Sequence, residues 1–293
     1  MTGRNAIPPK APIMSLETVS ASKCFGGTQY VYAHEARTTR CRMQFSAYVP
    51  PQAADGPVPV LTWLSGLTCT EENFTVKAAV QRHAAEHGLL VVAPDTSPRG
   101  EAVPDDEAWD LGTGAGFYVN ATQDPWAGNY RMYDYVVGEL PDVVGANLPA
   151  DMNRRGLFGH SMGGHGTLIV ALRNPDHYKS VSVLAPICAP TETGLGEKVF
   201  GAYLGPDRET WRAYDATELV KEGHTCAPVL IDQGDEDEFF KMGAMKIDAF
   251  QAACAAAGQP VTLRMQQGYD HGYFFVQTFM GDHVAYHAGI LNG

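Results

Sequence analysis

Apolar and polar positions change their period along this chain in a regular way. Over residues 17–49 the pattern is extended: two β-rich runs flank Phe25-Gly26-Gly27-Thr28, a hairpin turn signal, and a third run at 41–49 alternates apolar with polar residues. Residues 50–59 form a turn-rich connector. Then short apolar runs begin to alternate with helical spacing. Runs at 60–64 and 89–93 predict buried strands, the second closed by Pro94, and between them 73–87 predicts a helix ended by Gly88. Residues 95–130 have no period, and a span of that length without one points to a functional excursion. A helix is predicted at 131–148, with Pro141 marking a kink or a start. A strand at 155–158 and a helix at 164–173 follow, the latter with Leu168, Ile169 and Leu172 on one side. Strands are expected at 180–184, 228–232 and 261–265, helices at 241–257 and 274–287, and a mixed excursion at 186–221.

Buried β runs alternating with helices mean a mostly parallel sheet covered on both faces. An antiparallel start followed by βα repeats is the plan of the α/β-hydrolase fold. A dinucleotide-binding fold is the competing arrangement, but no G-x-G-x-x-G follows the early strands, and Gly112-x-Gly114-x-Gly116 lies in the aperiodic excursion before Phe117-Tyr118. The expected organisation is a disordered, Pro-rich leader at 1–15 and a single domain at 16–293.

Charge and composition narrow the partners. The 293 residues carry 21 basic and 33 acidic side chains, net −12, with no Lys/Arg cluster, which argues against nucleic acid and anionic membrane. No apolar run approaches the roughly 20 residues of a membrane span, and the first residues lack the apolar stretch of a secretory signal. The six cysteines show no C-x-x-C pair, so reduced thiols in the cytoplasm are expected, without a zinc or redox motif.

The densest chemistry lies at Gly159-His160-Ser161-Met162-Gly163. This G-x-S-x-G sits between a predicted strand and a predicted helix, the context of a nucleophile elbow, where a serine is exposed on a strained turn and the glycines avoid collisions across the bend. A serine hydroxyl needs a base, and the base needs an orienting carboxylate; in this fold the chain order is Ser, acid, His. After the strand at 261–265 comes Gly268-Tyr269-Asp270-His271, making His271 the base candidate. After the strand at 228–232 come Asp235, Glu236 and Asp237, with Asp232 at the strand end. Among these, Asp237 is favoured because it lies furthest past the strand and just before Phe239-Phe240. The oxyanion would be held by the backbone N–H of Met162 and by one from the loop starting at Leu64-Ser65-Gly66, which makes Leu67 the second donor, with Gly66 letting the backbone turn inward. Trp126 and the 95–130 excursion are candidates for the pocket wall. The pairs His83/His87 and His283/His287 have helical spacing, yet no third ligand accompanies either, so no metal is expected; His160 and His165 are expected to pack or hydrogen-bond near the elbow.

Longer motifs add to this. Lys23-Cys24-Phe25-Gly26-Gly27, Trp63-Leu64-Ser65-Gly66-Leu67-Thr68-Cys69-Thr70-Glu71-Glu72-Asn73-Phe74, Ala93-Pro94-Asp95-Thr96-Ser97-Pro98-Arg99-Gly100, Gly112-Thr113-Gly114-Ala115-Gly116-Phe117-Tyr118, Asp124-Pro125-Trp126, Asn129-Tyr130-Arg131-Met132-Tyr133 and Gly268-Tyr269-Asp270-His271 resemble the S-formylglutathione hydrolase, or esterase D, family from about residue 22 to 291. The resemblance implies hydrolysis of the thioester S-formylglutathione to glutathione and formate, a step in formaldehyde removal. It implies Ser161 as nucleophile, Asp237 as acid, His271 as base, and Leu67 and Met162 as N–H donors. It also implies a cytoplasmic homodimer without a bound cofactor. Cys69 resembles the family's thiol beside the active site, whose modification hinders activity. Gly272 stands where many members carry Ser, and residues 192–205 correspond to a variable region at the pocket rim. A short-chain carboxylesterase using the same residues is the alternative; a non-catalytic binding protein and an acyltransferase are the readings from other classes.

Overall fold

A computed structural model describes residues 15–293; the leader expected at 1–15 lies, but for Ser15, outside the described residues. One nine-stranded sheet runs through them in the order β1-β2-β3-β5-β4-β6-β7-β8-β9. The strands are β1 (Glu17–Cys24), β2 (Gly27–Ala36), β3 (Cys41–Val49), β4 (Val58–Leu64), β5 (Leu90–Pro94), β6 (Ala150–His160), β7 (Ser180–Leu184), β8 (Val229–Gly234) and β9 (Val261–Gln266). The first three pair antiparallel, β3 meets β5 antiparallel, and all later pairs are parallel. This is the α/β-hydrolase arrangement, and the loop carrying Leu67 follows β4.

Local chemistry explains the main elements. The β1–β2 hairpin turns at Phe25 and Gly26, both with positive φ (45° and 78°), the combination that matches the right-handed twist of the flanking strands. Strands β5 and β7 are buried at every position, as expected of parallel strands covered on both faces. On one face lie the helices Leu140–Asn147, Met162–Arg173 and Gly194–Leu204, whose buried residues join Phe45, Leu157, Val183 and Ile231 in the larger core cluster. On the other, Val80–His87 and Tyr273–Leu291 cover Trp63, Phe158 and Leu184.

Two helical predictions are corrected. The helix expected at 73–87 is two, Glu71–Lys77 and Val80–His87, because Ala79 adopts φ 54°. The Gln81 amide caps the break by donating to the Thr75 carbonyl at 2.6 Å, and no Gly or Pro announces it. The helix expected at 241–257 begins only at Ile247: Gly243 (φ 73°) and Lys246 (φ 52°) separate it from the short helix Glu238–Lys241. The segment at 131–148 is helical, but widens into a π-helical stretch over Tyr135–Glu139 just ahead of Pro141. Proline lacks an N–H and its ring presses on the carbonyl four residues earlier, so a wider turn relieves the clash.

Candidate active site

All parallel strands point their carboxyl ends to one edge of the sheet, and the loops leaving that edge bring the candidate residues together. The pairs Leu64↔Gly159, Leu184↔Asp232 and Gly234↔Gln266 set the ends of β4 and β6, of β7 and β8, and of β8 and β9 side by side. Ser161 leaves β6 as the residue before the helix Met162–Arg173, with φ 58° and ψ −120°. That backbone is strained for a residue with a Cβ, and it is held because both flanking glycines permit contacts no side chain would allow. A Cβ on Gly159 would fall on the Gly163 carbonyl across the bend; a Cβ on Gly163 would fall on the Leu64 carbonyl of β4 instead, so only the first collision is the one read from sequence.

His271 lies in the loop after β9. Its Nε2 is 2.9 Å from Ser161 Oγ and its Nδ1 is 2.6 Å from Asp237 Oδ2. An ionised carboxylate can only accept, so Nδ1 carries the proton and Nε2 is left to accept from the serine hydroxyl. Asp237 is fully buried at the start of the helix Glu238–Lys241. Burial opposes its ionisation, but hydrogen bonds from His271, Gln233 and the Phe240 N–H outweigh it and hold the carboxyl below its ordinary range. The other three carboxylates have different partners. Asp232 is forked by Arg264 at 2.6 and 2.5 Å and meets His283; Asp235 accepts from the Gly268 N–H; Glu236 pairs with Lys241.

The loop after β4 lies against Ser161. A Cβ on Gly66 would stand 3.2 Å from the Ser161 Cβ, so this glycine clears room for the serine. The left-handed residue of this loop is Thr68, at φ 66°. The bonds closing the turn use the N–H groups of Thr68 (to Gly114 O, 2.9 Å) and Cys69 (to Gly66 O, 3.4 Å), and not that of Leu67. The Met162 N–H begins its helix, where the helix itself supplies no acceptor.

These groups open into a cavity of about 350 Å³, lined by Leu67, Cys69, His160, Ser161 and His271 together with Asn73, Lys77, Trp109, Ile187, Leu195, Phe239, Met245 and Tyr273. Cys69 is buried, its Sγ 3.9 Å from the Tyr273 hydroxyl, and burial pushes its thiol above the ordinary range. Leu195, from the region expected at the rim, reaches the lining. Trp126 does not. It is only 6% exposed and packs edge-on against Tyr130 and Tyr203, because the chain around it turns into the core; the indole at the cavity, from the same excursion, is Trp109, 56% exposed. Nothing in the sequence separates those two tryptophans. Lys77 and Asn73 also escape a sequence reading, since a basic residue ending a helix already satisfies the helix dipole. His160 donates from Nε2 to the His271 carbonyl, 2.9 Å away, and His165 reaches the Phe117 carbonyl at 3.0 Å. His283 and His287 belong to a buried network with Ser180, Ser182 and Asp232.

The esterase family model ("Putative esterase") matches residues 36–286. The S-formylglutathione hydrolase of Mus musculus is 54% identical over 281 residues, covering 95% of this chain and all of the mouse protein. That of Paracoccus denitrificans is 52% identical over 275 residues, 94% of this chain and 98% of the relative. The structure of an S-formylglutathione hydrolase from Agrobacterium tumefaciens superposes with a TM-score of 0.92 at 47% identity, over 94% of this chain and 99% of that one. The chain belongs to the S-formylglutathione hydrolase family of esterases.

Proposed function

We propose that this protein hydrolyses S-formylglutathione to glutathione and formate, with Ser161 as nucleophile, His271 as base and Asp237 as the orienting acid. The observation that carries this reading is the unbroken hydrogen-bonded series Asp237–His271–Ser161, ending at the cavity. His271 Nε2 takes the Ser161 proton as Oγ bonds to the formyl carbon. The carbonyl oxygen becomes an oxyanion, held by the N–H groups of Leu67 and Met162. The C–S bond then breaks and His271 returns the proton to the departing sulfur, releasing glutathione. Water attacks the formyl-serine ester, giving one proton to His271; formic acid leaves as Ser161 Oγ takes that proton back, and ionises to formate in solution. The chemistry calls for no cofactor and no metal. Cys69 acts as a neighbouring thiol rather than a nucleophile, since burial keeps it protonated near neutral pH.

The same reading makes residues 16–293 one hydrolase domain, supported by the single sheet that runs through the described part. It places the protein in the cytoplasm, in formaldehyde removal, as a homodimer. The six unpaired cysteines favour a reducing compartment; among the described residues no helix is long and apolar enough to cross a membrane. Sedimentation of the purified chain tests the dimer.

Turnover of S-formylglutathione, with p-nitrophenyl acetate in parallel and Ser161→Ala as control, tests the activity. Preference for the thioester, abolished by the substitution, is the expected result. Ester turnover matching or exceeding it would make this a short-chain carboxylesterase, and an undiminished Ser161→Ala would remove the triad altogether.

A further inference from the structure

A formyl group is too small to be recognised by itself, so selectivity for this thioester must come from its thiol arm. That arm carries two carboxylates and one ammonium at neutral pH. Among the described residues lining the cavity, Lys77 is the one lysine or arginine, and no Asp or Glu lines it. This is notable in a chain with 33 acidic residues against 21 basic. The other lysines near carboxylates are engaged: Lys198 with Asp110, Lys221 with Glu218, Lys241 with Glu236 and Lys246 with Glu192. For Lys77 no ion pair is found among the described residues. Its ammonium instead lies 5.7 Å from the centroid of the Tyr273 ring, whose hydroxyl meets Cys69 Sγ. A cation resting on an aromatic face is held without being neutralised.

A second space borders this cavity. This groove of about 280 Å³ is lined by Glu72, Asn73, Val76 and Lys77, and Asn73 and Lys77 line both spaces. Asn73 Oδ1 accepts from the Thr70 N–H at 2.9 Å, which turns the amide NH₂ away from that bond as a donor. The strip thus offers a fixed cation, a neutral donor, and beyond them one carboxylate.

We propose that Lys77, with Asn73 and Glu72, forms the subsite for the charged arm of a glutathione thioester: Lys77 and the Asn73 amide hold a carboxylate, and Glu72 faces the ammonium. The inference rests on the function proposed above and deepens it. Both substituents act on the leaving thiol, so the subsite sets selectivity and leaves the bond-making atoms alone.

Direct calorimetric binding of S-methylglutathione and of its diethyl ester, which keeps the ammonium but lacks both free carboxylates, tests this without requiring turnover. The full-length protein is expected to bind the free acid more tightly than the diester. Lys77→Met should weaken binding of the acid by roughly two- to fivefold, the range for losing one exposed ion pair, and bring it level with the diester. Lys77→Arg should restore the preference, which guards against a folding defect. Added salt should erode the preference in the unaltered protein and have little effect in Lys77→Met. Equal binding of acid and diester by the unaltered protein, or a preference that survives Lys77→Met, overturns the subsite. A preference that depends on Lys77 in a protein that fails to hydrolyse S-formylglutathione would sustain the subsite and overturn the proposed activity.

Discussion

His160 donates through Nε2 to the backbone carbonyl of His271, and the two imidazoles lie with centroids 4.6 Å apart. Burial drives the pKa of His160 down to about 3, with the neighbouring His271 adding to the shift. It is therefore neutral when His271 must become an imidazolium, and contributes a hydrogen bond without a competing charge. His160→Phe keeps a ring beside His271 and removes the donor. A net hydrogen bond is worth about 0.5–1.5 kcal/mol, so kcat/KM should fall roughly two- to tenfold. The fall should be equal for S-formylglutathione and p-nitrophenyl acetate, because the defect lies in the base and not in the substrate's arm. His160→Gln, which can present a donor at a similar reach, should recover part of it. A loss confined to one substrate would remove His160 from this positioning role.

Buried neutral histidines also fix the direction of acid sensitivity. His160 is lowered to about 3, His165 to about 4, and His287 well below its ordinary value, each chiefly by burial. The unfolded chain takes up these protons near pH 6.5 while the folded chain refuses them, so stability declines as pH falls from about 6.5 toward 4. Asp237 and Asp232 act in the same direction at lower pH, since their carboxyls are held below the ordinary range, Asp232 at about 2. Each histidine contributes a slope of about 1.4 kcal/mol per pH unit within its window. Urea midpoints at pH 7.0 and pH 5.0 should therefore differ clearly, with the acidic sample less stable. Equal midpoints would mean that these rings take up protons in the folded protein.

How far the site can be read from sequence depends on what fixes each residue. Ser161 and His271 are legible because short-range rules apply: glycine spacing around a strained turn, and a position just past a strand. The acid is harder, since Asp232, Asp235, Glu236 and Asp237 compete within six positions of one strand end. What distinguishes them is partners distant in sequence, Arg264 and His283 for Asp232 and His271 for Asp237. Trp109 and Trp126 share one aperiodic segment, and only tertiary packing sends one to the cavity and the other to Tyr203. The break at Ala79 is silent for the same reason: it is paid in backbone strain and returned by packing of Phe74, Ala78, Val80 and Ala84 on one face of the sheet.

The elbow glycines differ from other glycines of the chain in a way mutagenesis can separate. Gly163 has the Leu64 and Ser65 carbonyls directly over its Cα, so Gly163→Ala would push the helix Met162–Arg173 off β4. The expected loss of stability is about 3 kcal/mol or more, at the top of the range for overpacked core sites because the clash is with backbone, together with loss of turnover. Gly201, inside the helix Gly194–Leu204, meets nothing within 4 Å, and Gly201→Ala should stabilise by about 0.5–1 kcal/mol. Thermal melts of the two variants should move in opposite directions. A Gly163→Ala protein that melts with the unaltered chain would show that the helix can slide on the sheet, against the packing seen here.

The loop that carries Leu67 is braced from the 95–130 excursion, and Tyr118 is the brace. Its hydroxyl donates to the Ser65 carbonyl at 2.8 Å, and its ring covers Gly166 so closely that a Cβ there would strike it. Phe117 and Tyr118 hold positive φ in succession (46° and 52°), a conformation costly for residues with side chains. His165 secures it through the Phe117 carbonyl, and the Gly114 carbonyl binds the Thr68 N–H on the other side. Tyr118→Phe removes one hydroxyl and leaves the buried Ser65 carbonyl without that donor, which should cost about 1–3 kcal/mol of stability. In the proposed mechanism the Leu67 N–H acts once charge has developed on the substrate oxygen, so a loosened loop should lower kcat several-fold and leave KM nearly unchanged. Steady-state kinetics at a temperature where the variant remains folded decide the matter. A lowered melting temperature with an unchanged kcat would make Tyr118 a core residue only, and would mean that the Leu67 loop keeps its position without it.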